Sequence, residues 1–218
     1  MTHEIKNSAI PISTLTEVVN SMIIDESGRL KDLSTLKQDE LDDLHLGLKT
    51  VEKRSKGLVN FVNAYGELSK IPKPNFKEVD IKEIIDSVAN LLINDLKRAH
   101  VTLKVGVSSY MLYIDPELIE QVLINLIKNA KEALTNRPKA TIHIESQKSA
   151  DRFQLMIEDN GSGIDKETLE NIFVPFYTTK KEGSGIGLSL SKQIMQAHKG
   201  AIHVSSKPEE GTRFTLSF

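Results

Sequence analysis

Arg152-Phe153-Gln154-Leu155-Met156-Ile157-Glu158-Asp159-Asn160-Gly161-Ser162-Gly163-Ile164 is the stretch on which the reading of this chain turns. Its first half alternates, with Phe153, Leu155 and Ile157 on one face, and reads as a half-buried strand. The strand ends on a carboxylate, Asp159, and then come two glycines one residue apart. Glycine lets a backbone turn tightly and approach a ligand with no Cβ in the way. An acid at a strand end, followed by such a turn, suits a ligand that offers a hydrogen-bond donor, such as the amino group of adenine. By itself the stretch reads more readily as an ordinary Asn-Gly turn between two elements.

The totals bound the rest. A chain of 218 residues holds one large domain or two small ones. A 39% hydrophobic content is enough for a core, and 27% charged residues are ordinary for a soluble protein. A net charge of −2 argues against broad nucleic-acid binding. The absence of cysteine excludes disulfides and thiolate metal sites. No apolar run approaches the roughly 18 residues of a membrane span, and the start lacks a signal-peptide pattern. A soluble, cytoplasmic piece with no membrane segment of its own is expected.

Before the central stretch, two long helices are expected. Over residues 2–25, Ile5, Ala9, Ile12, Val19 and Ile23 recur at three- and four-residue steps. Pro11 predicts a kink near Ile10-Pro11. Residues 26–37 read as a polar connection opened by Asp25-Glu26-Ser27-Gly28. Over residues 38–69, Leu41, Leu44, Leu48, Val51, Ser55, Leu58, Val62 and Tyr65 form the narrow seam of a coiled coil or four-helix bundle. Two such helices bury little by themselves, so residues 1–70 are expected to dimerise into a four-helix bundle.

Ile71-Pro72-Lys73-Pro74-Asn75 is the expected linker, residues 71–75, since its prolines disfavour helix and central strand alike. The pattern over 76–218 is mixed. It predicts a strand at Phe76–Val79 and a helix at Ile81–Ala99 whose one face carries Ile84, Ile85, Val88, Leu91, Leu92 and Leu96. Val101–Val107 and Met111–Ile114 read as a hairpin across Ser108-Ser109. Asp115-Pro116 opens a helix through Leu134, with Pro at the first helical position. Strands follow at Ala140–Ser146 and Phe153–Glu158, then a helix at Ile186–Lys199 and a closing pair at Ala201–Ser205 and Thr212–Phe218. The class is α+β: a helical hairpin, then an α/β sandwich with a mixed sheet and helices on one face.

Three further features carry chemistry. Asn125 and Asn129 lie one turn apart on one face of a helix, where Asn is a poor interior residue. Their amide oxygens are neutral, hard ligands suited to Mg²⁺ that also takes phosphate oxygens and water. Phe173, Pro175, Phe176 and Tyr177, then Thr178-Thr179-Lys180-Lys181, read as a lid tethered by aromatic anchors with hydroxyls and lysines facing a polyphosphate. Gly183-Ser184-Gly185-Ile186-Gly187-Leu188 opens a helix, where backbone N–H groups and the dipole favour an anion. The spacing is neither that of a Rossmann fingerprint nor that of a P-loop.

In this order the motifs resemble the ATP-site boxes of the sensor histidine kinases, within the ATPase superfamily shared with gyrase B, Hsp90 and MutL. The matching run is Asn125…Asn129, Asp159-x-Gly161-x-Gly163, Phe173-x-x-Phe176 and Gly183-x-Gly185-x-Gly187-Leu188. The resemblance implies ATP and Mg²⁺ held under a lid, with Asp159 on the adenine amino group and Asn125 and Asn129 at the metal. It also implies nucleotide contacts from Lys128, Gly161, Gly163, Ile164, Phe176, Thr179 and Lys180, and from Gly183, Ser184, Gly185, Ile186, Gly187 and Leu188. His3-Glu4-Ile5-Lys6-Asn7 is similar to the phosphoacceptor box of the same family. There a neutral imidazole is the nucleophile, Glu4 takes or orients its proton, and Asn7 sits one turn on. The residue after Asn7, a proline in the family, is Ser8 here. The resemblance further implies phosphotransfer to the aspartate of a response-regulator receiver domain, and phosphatase activity beside it. Two alternatives share the ATP site: a serine kinase of the same superfamily, and a nucleotide-binding dimeric scaffold. Among the other histidines, His143 and His203 point away from the apolar residues of their strands. His45 sits between seam positions, and His100 and His198 end helices, where a cation suits the dipole.

Overall fold

The computed structural model describes residues 2–25, 28–32, 37–69, 73–149, 152–180 and 183–218. The chain falls into two compact units, Met1–Ser69 and Lys70–Phe218. Among the described residues, no helix is long and apolar enough to cross a membrane.

The first unit pairs α1 (Thr2–Ile23) with α2 (Gln38–Ser69). Helix α1 is continuous through Pro11, the site of the expected kink. The side chains of His3, Glu4, Asn7 and Ser8 lie outside the described ones, as does that of Tyr65 in the seam. The α1 terminus is closed by Lys31, whose Nζ donates to the carbonyls of Ser21 and Met22, each at 3.1 Å. That is the end at which a cation meets the unsatisfied carbonyls of a helix. At the start of α2, the Lys37 N–H donates to the Glu40 carboxylate at 2.9 Å, one half of a capping box. Val19 is 7% exposed, yet the seam residues Leu41, Leu48 and Val62 remain 38%, 52% and 54% exposed. This hairpin leaves much of its apolar seam open to solvent.

In the second unit, residues 71 and 72 of the expected linker lie outside the described residues. Its elements are β1 (Lys77–Asp80), α3 (Ile81–Arg98), β2 (Thr102–Gly106), β3 (Met111–Ile114), α4 (Pro116–Ala133), β4 (Thr141–Ser149) and β5 (Arg152–Asp159). They continue with α5 (Lys166–Asn171), α6 (Gly187–Ala197), β6 (Ala201–Lys207) and β7 (Gly211–Ser217). A five-stranded sheet runs β2-β4-β5-β7-β6, with β2 and β4 parallel and the other neighbours antiparallel. Alternation sorts its two faces. Ile142, Ile144, Phe153, Leu155, Ile157, Phe214, Leu216 and Ile202 are buried on one face, and α3, α4 and α6 pack there. The other face is polar and includes an Arg213–Glu158 pair across β7 and β5.

The expected hairpin of residues 101–107 with 111–114 does not form. Strand β2 instead pairs in parallel with β4, and β3 pairs antiparallel with β1 in a two-stranded sheet. The cause is local. The Asp80 carboxylate, which caps α3 by accepting from the Lys82 N–H, also accepts from Ser109 Oγ at 2.5 Å and from the Tyr110 N–H at 3.1 Å. The segment between the two strands is thereby bound to the start of α3, and β3 turns toward β1. Leu91, expected on the inner face of α3, is 67% exposed because it lies one step outside the stripe of Ile84, Ile85, Val88, Leu92 and Leu96.

His198 also departs from expectation. Its Nε2 accepts from the Asp115 N–H at 3.0 Å, and its Nδ1 lies 2.8 Å from the Ile194 carbonyl. The ring is therefore a neutral acceptor with its proton on Nδ1, not a cation on a helix dipole. It joins the end of α6 to the start of α4. Asp115, at the N-cap of α4, accepts at Oδ1 from the Glu117 and Leu118 N–H groups and at Oδ2 from the Asn75 N–H at 2.7 Å. Asp115→Ala is expected to destabilise this unit by about 1–2 kcal/mol, with the urea midpoint lowered at unchanged slope. An unchanged midpoint would show that these bonds contribute nothing net.

Candidate functional site

A cavity of about 520 Å³ opens between α4, the end of β5, the loop after it and the start of α6. That is the size of a small-molecule site. Helix α4 supplies Asn125, Lys128, Asn129 and Glu132 from the flank of its buried stripe of Leu118, Ile119, Val122, Leu123, Leu126 and Ile127. The core and the ligand groups thus occupy adjoining strips of one helix.

At one end stands Asp159. It falls in register with Phe153, Leu155 and Ile157, so strand parity turns its carboxylate inward, where it is 5% exposed. Burial raises its pKa from 3.8 to about 6, although the Gly161 and Thr212 N–H groups pull it down; nearby Glu158 adds to the rise. The Gly161 N–H donates to Oδ1 at 2.8 Å. The turn that follows is braced on two sides. The Ser162 N–H reaches the Ala133 carbonyl at the end of α4, and the Glu209 N–H reaches the Ser162 carbonyl from the β6–β7 turn. Gly163 has φ +67°, and a Cβ there would stand 1.9 Å from the Lys207 carbonyl oxygen, so this position requires glycine. Thr212 and Phe214 of β7 line the same end.

The other end is polar. Asn125 donates from Nδ2 to Ser191 Oγ at 2.9 Å, and Ser191 Oγ donates to the Gly187 carbonyl at 2.9 Å. A Cβ on Gly187 would lie 2.2 Å from Asn125 Oδ1, so glycine here is what admits the amide to the head of α6. The N-cap of α6, Ile186, makes no side-chain cap bond. That leaves the first N–H groups of the helix to an anion. Lys180 Nζ donates to Asn129 Oδ1 at 2.7 Å and pairs with Glu132.

Of the site residues predicted from sequence, Asn125, Lys128, Asn129, Asp159, Gly163, Ile164, Thr179, Lys180, Gly183, Ser184, Gly185, Gly187 and Leu188 line this cavity. Gly161, Phe176 and Ile186 do not. Gly161 is packed between Asp159 and Ala133, and Ile186 is buried. The Phe176 N–H donates to the Gly185 carbonyl at 2.8 Å, which closes the base of the 176–185 loop. Lys181 of the expected lid lies outside the described residues. Sequence reasoning missed Glu132, Thr212 and Phe214. The spacing of Glu132 from Asn129, one turn along α4, was a usable signal. Nothing local marks Thr212, which comes to Asp159 through the β5–β7 register.

Comparison with known proteins gives the same picture. Residues 114–218 match the family described as histidine kinase-, DNA gyrase B- and HSP90-like ATPase. The chain is 34% identical over 185 residues to the signal transduction histidine-protein kinase AtoS of Escherichia coli (strain K12), covering 83% of this chain and 30% of that one. It thus spans about a third of the length of the curated relatives it matches. The catalytic domain of histidine kinase ThkA superposes with a TM-score of 0.61 at 29% identity, over 66% of this chain and 95% of that one. ThkA in complex with the response regulator protein TrrA superposes with a TM-score of 0.66 at 25% identity, over 100% of this chain and 59% of that one.

The burial of Asp159 has a signed consequence. Below 3.8 the carboxyl is protonated in folded and unfolded chains alike. Between 3.8 and about 6 the unfolded chain ionises first, so stability falls as pH rises, and above about 6 the loss is complete. At about 1.4 kcal/mol per pH unit, that interval amounts to about 3 kcal/mol. Asp159→Asn keeps an acceptor for the Gly161 N–H and is expected to be more stable than the parent at pH 7.5 by about 1–3 kcal/mol, the gain vanishing toward pH 4. Urea melts at the two pH values test this, and a gain independent of pH would contradict it.

Proposed function

The chain belongs to the sensor histidine kinases and carries their catalytic core, and on that footing we propose that it transfers the γ-phosphoryl group of ATP to His3 and then to an aspartate of a response-regulator receiver domain. The observation that carries this reading is a single cavity with a buried carboxylate at one end and amides, a lysine and an uncapped helix N-terminus at the other. Those are the complements of an adenine amino group and of a polyphosphate.

Asp159 accepts from the adenine amino group and is most effective when ionised. Gly183, Ser184, Gly185, Ile186, Gly187 and Leu188 present the α6 terminus to the phosphates, with Lys128, Thr179 and Lys180 beside them. The Asn125 and Asn129 amides fit magnesium. Asn125 has committed Nδ2 to Ser191 and keeps Oδ1, and Asn129 Oδ1 already holds a cationic group, Lys180 Nζ. Among the described residues no cluster of three His, Cys, Asp or Glu could hold a metal, which suits an ion whose other ligands are phosphate oxygens and water. Magnesium, when bound, supplies charge neutralisation on the phosphates. The rest is done by the chain. The His3 imidazole attacks the γ-phosphorus, the bond to the β-phosphate oxygen breaks, Glu4 takes the imidazole proton, and Asn7 orients the phosphoryl group. A second copy covers the open seam of α1 and α2, so the working unit is a homodimer through residues 1–70. The same His-Glu-x-x-Asn box serves a phosphatase step by placing water.

His3→Ala is expected to abolish base-stable, acid-labile labelling from ATP while leaving ADP binding unchanged. Labelling that persists in the variant would remove His3 as the acceptor. ADP affinity is expected to fall as pH drops through about 6, where Asp159 takes up its proton, and calorimetric titrations at pH 5 and 7.5 read this. Asp159→Ala is expected to cost about 1.5–3 kcal/mol of binding at pH 7.5 and to flatten the pH dependence. A variant that keeps the parent's affinity would rule out the adenine role.

A further inference from the structure

Lys180 stands where the proposed function needs two other things to happen. Its Nζ donates to Asn129 Oδ1 at 2.7 Å and pairs with the Glu132 carboxylate. Asn129 and Glu132 are three residues apart on α4, so both face the cavity from neighbouring positions on one side. The proposed function gives Asn129 Oδ1 to magnesium and Lys180 to the phosphates. The two roles exclude the present contact between Lys180 and Asn129, because an ammonium and a divalent ion sharing one amide oxygen would repel at a few ångströms. Among the described residues lining the cavity, Glu132 is the one carboxylate besides Asp159, and it sits at the phosphate end. The Glu132 side chain is 52% exposed, so solvent screens its own repulsion of phosphate and its hold on Lys180 is what counts.

We propose that Glu132 is a positioning residue that parks Lys180 across the phosphate end, and that the lysine passes to the nucleotide as magnesium takes Asn129. The proposal rests on the reading of this cavity as an ATP site. Glu132 makes the handover conditional. Without magnesium, a nucleotide must draw Lys180 away from its carboxylate by itself. With magnesium held at Asn129, Lys180 would be released toward the phosphates, and Glu132 would stay neutralised by the charges that move in. The pair thus favours the magnesium complex over free nucleotide.

The test is a double-mutant cycle on ADP, which binds without turnover, measured by calorimetry in EDTA and in magnesium. Glu132→Gln in EDTA is expected to raise ADP affinity about two- to fivefold, the range of an exposed ion pair, and to raise it less in magnesium. In a Lys180→Ala background the gain should disappear, because there is no lysine left to release. A gain that persists without Lys180 would mean simple repulsion between Glu132 and phosphate, and no gain at all would mean that the pair does not compete with nucleotide; either overturns the proposal. A parent protein that binds ADP while the cycle shows no coupling strikes the handover alone. A parent that binds no ADP strikes the ATP reading and the handover together. Melting curves of the same variants separate loss of fold from loss of coupling.

Discussion

A charged group in an apolar row is the constraint on which this structure rests. On β5, Phe153, Leu155, Ile157 and Asp159 share one face, and the first three are core. Parity leaves Asp159 no choice of side. It is kept there by N–H groups from Gly161 and Thr212, which only partly offset its burial. The cost is borne by the turn that follows, whose backbone must lie close enough to donate. That closeness explains the sequence of the turn. Its residues are bonded on one side to the end of α4 and on the other to the β6–β7 turn, and side chains there would collide with both. A binding group is thus held in a poor electrostatic setting that a donor from a ligand improves.

Helix α4 shows how one element serves two masters. Its apolar stripe is fully committed to the core. The strip beside it carries amides, a lysine and a carboxylate, and Lys180 reaches two of them, Asn129 and Glu132. Because the stripe is rigidly packed, the polar groups have fixed spacing. What moves charge around them is the lysine, whose long side chain reaches both Asn129 and Glu132.

Much of this was legible in the chain. The strand before Asp159, the glycine turns, the paired asparagines and the mixed α+β pattern rest on local rules of parity, helical spacing and backbone freedom. What was not legible depended on partners far apart in sequence. The strand at 102–106 looked like half of a hairpin because the turn after it is short; it took Asp80, bound to Ser109 and Tyr110, to send the next strand elsewhere. His198 looked like a helix-end cation until Asp115 supplied it with a donor. Thr212 carries no motif and reaches Asp159 only through strand pairing. Glu132 takes its place in the site from its pairing with Lys180, a partner far along the chain.

The cap of α4 has a mechanical meaning. Asp115 is the point where the incoming segment at Asn75, the head of α4 and the tail of α6 are knotted together through four bonds. Asn75 and Phe76 thus tie the start of this unit to both helices that wall the cavity, Asn75 through the Asp115 carboxylate and Phe76 through its ring against His198. Losing the Asn75 bond would leave the buried Asp115 Oδ2 short of a donor, so the incoming segment and the two helix ends hold one another in place.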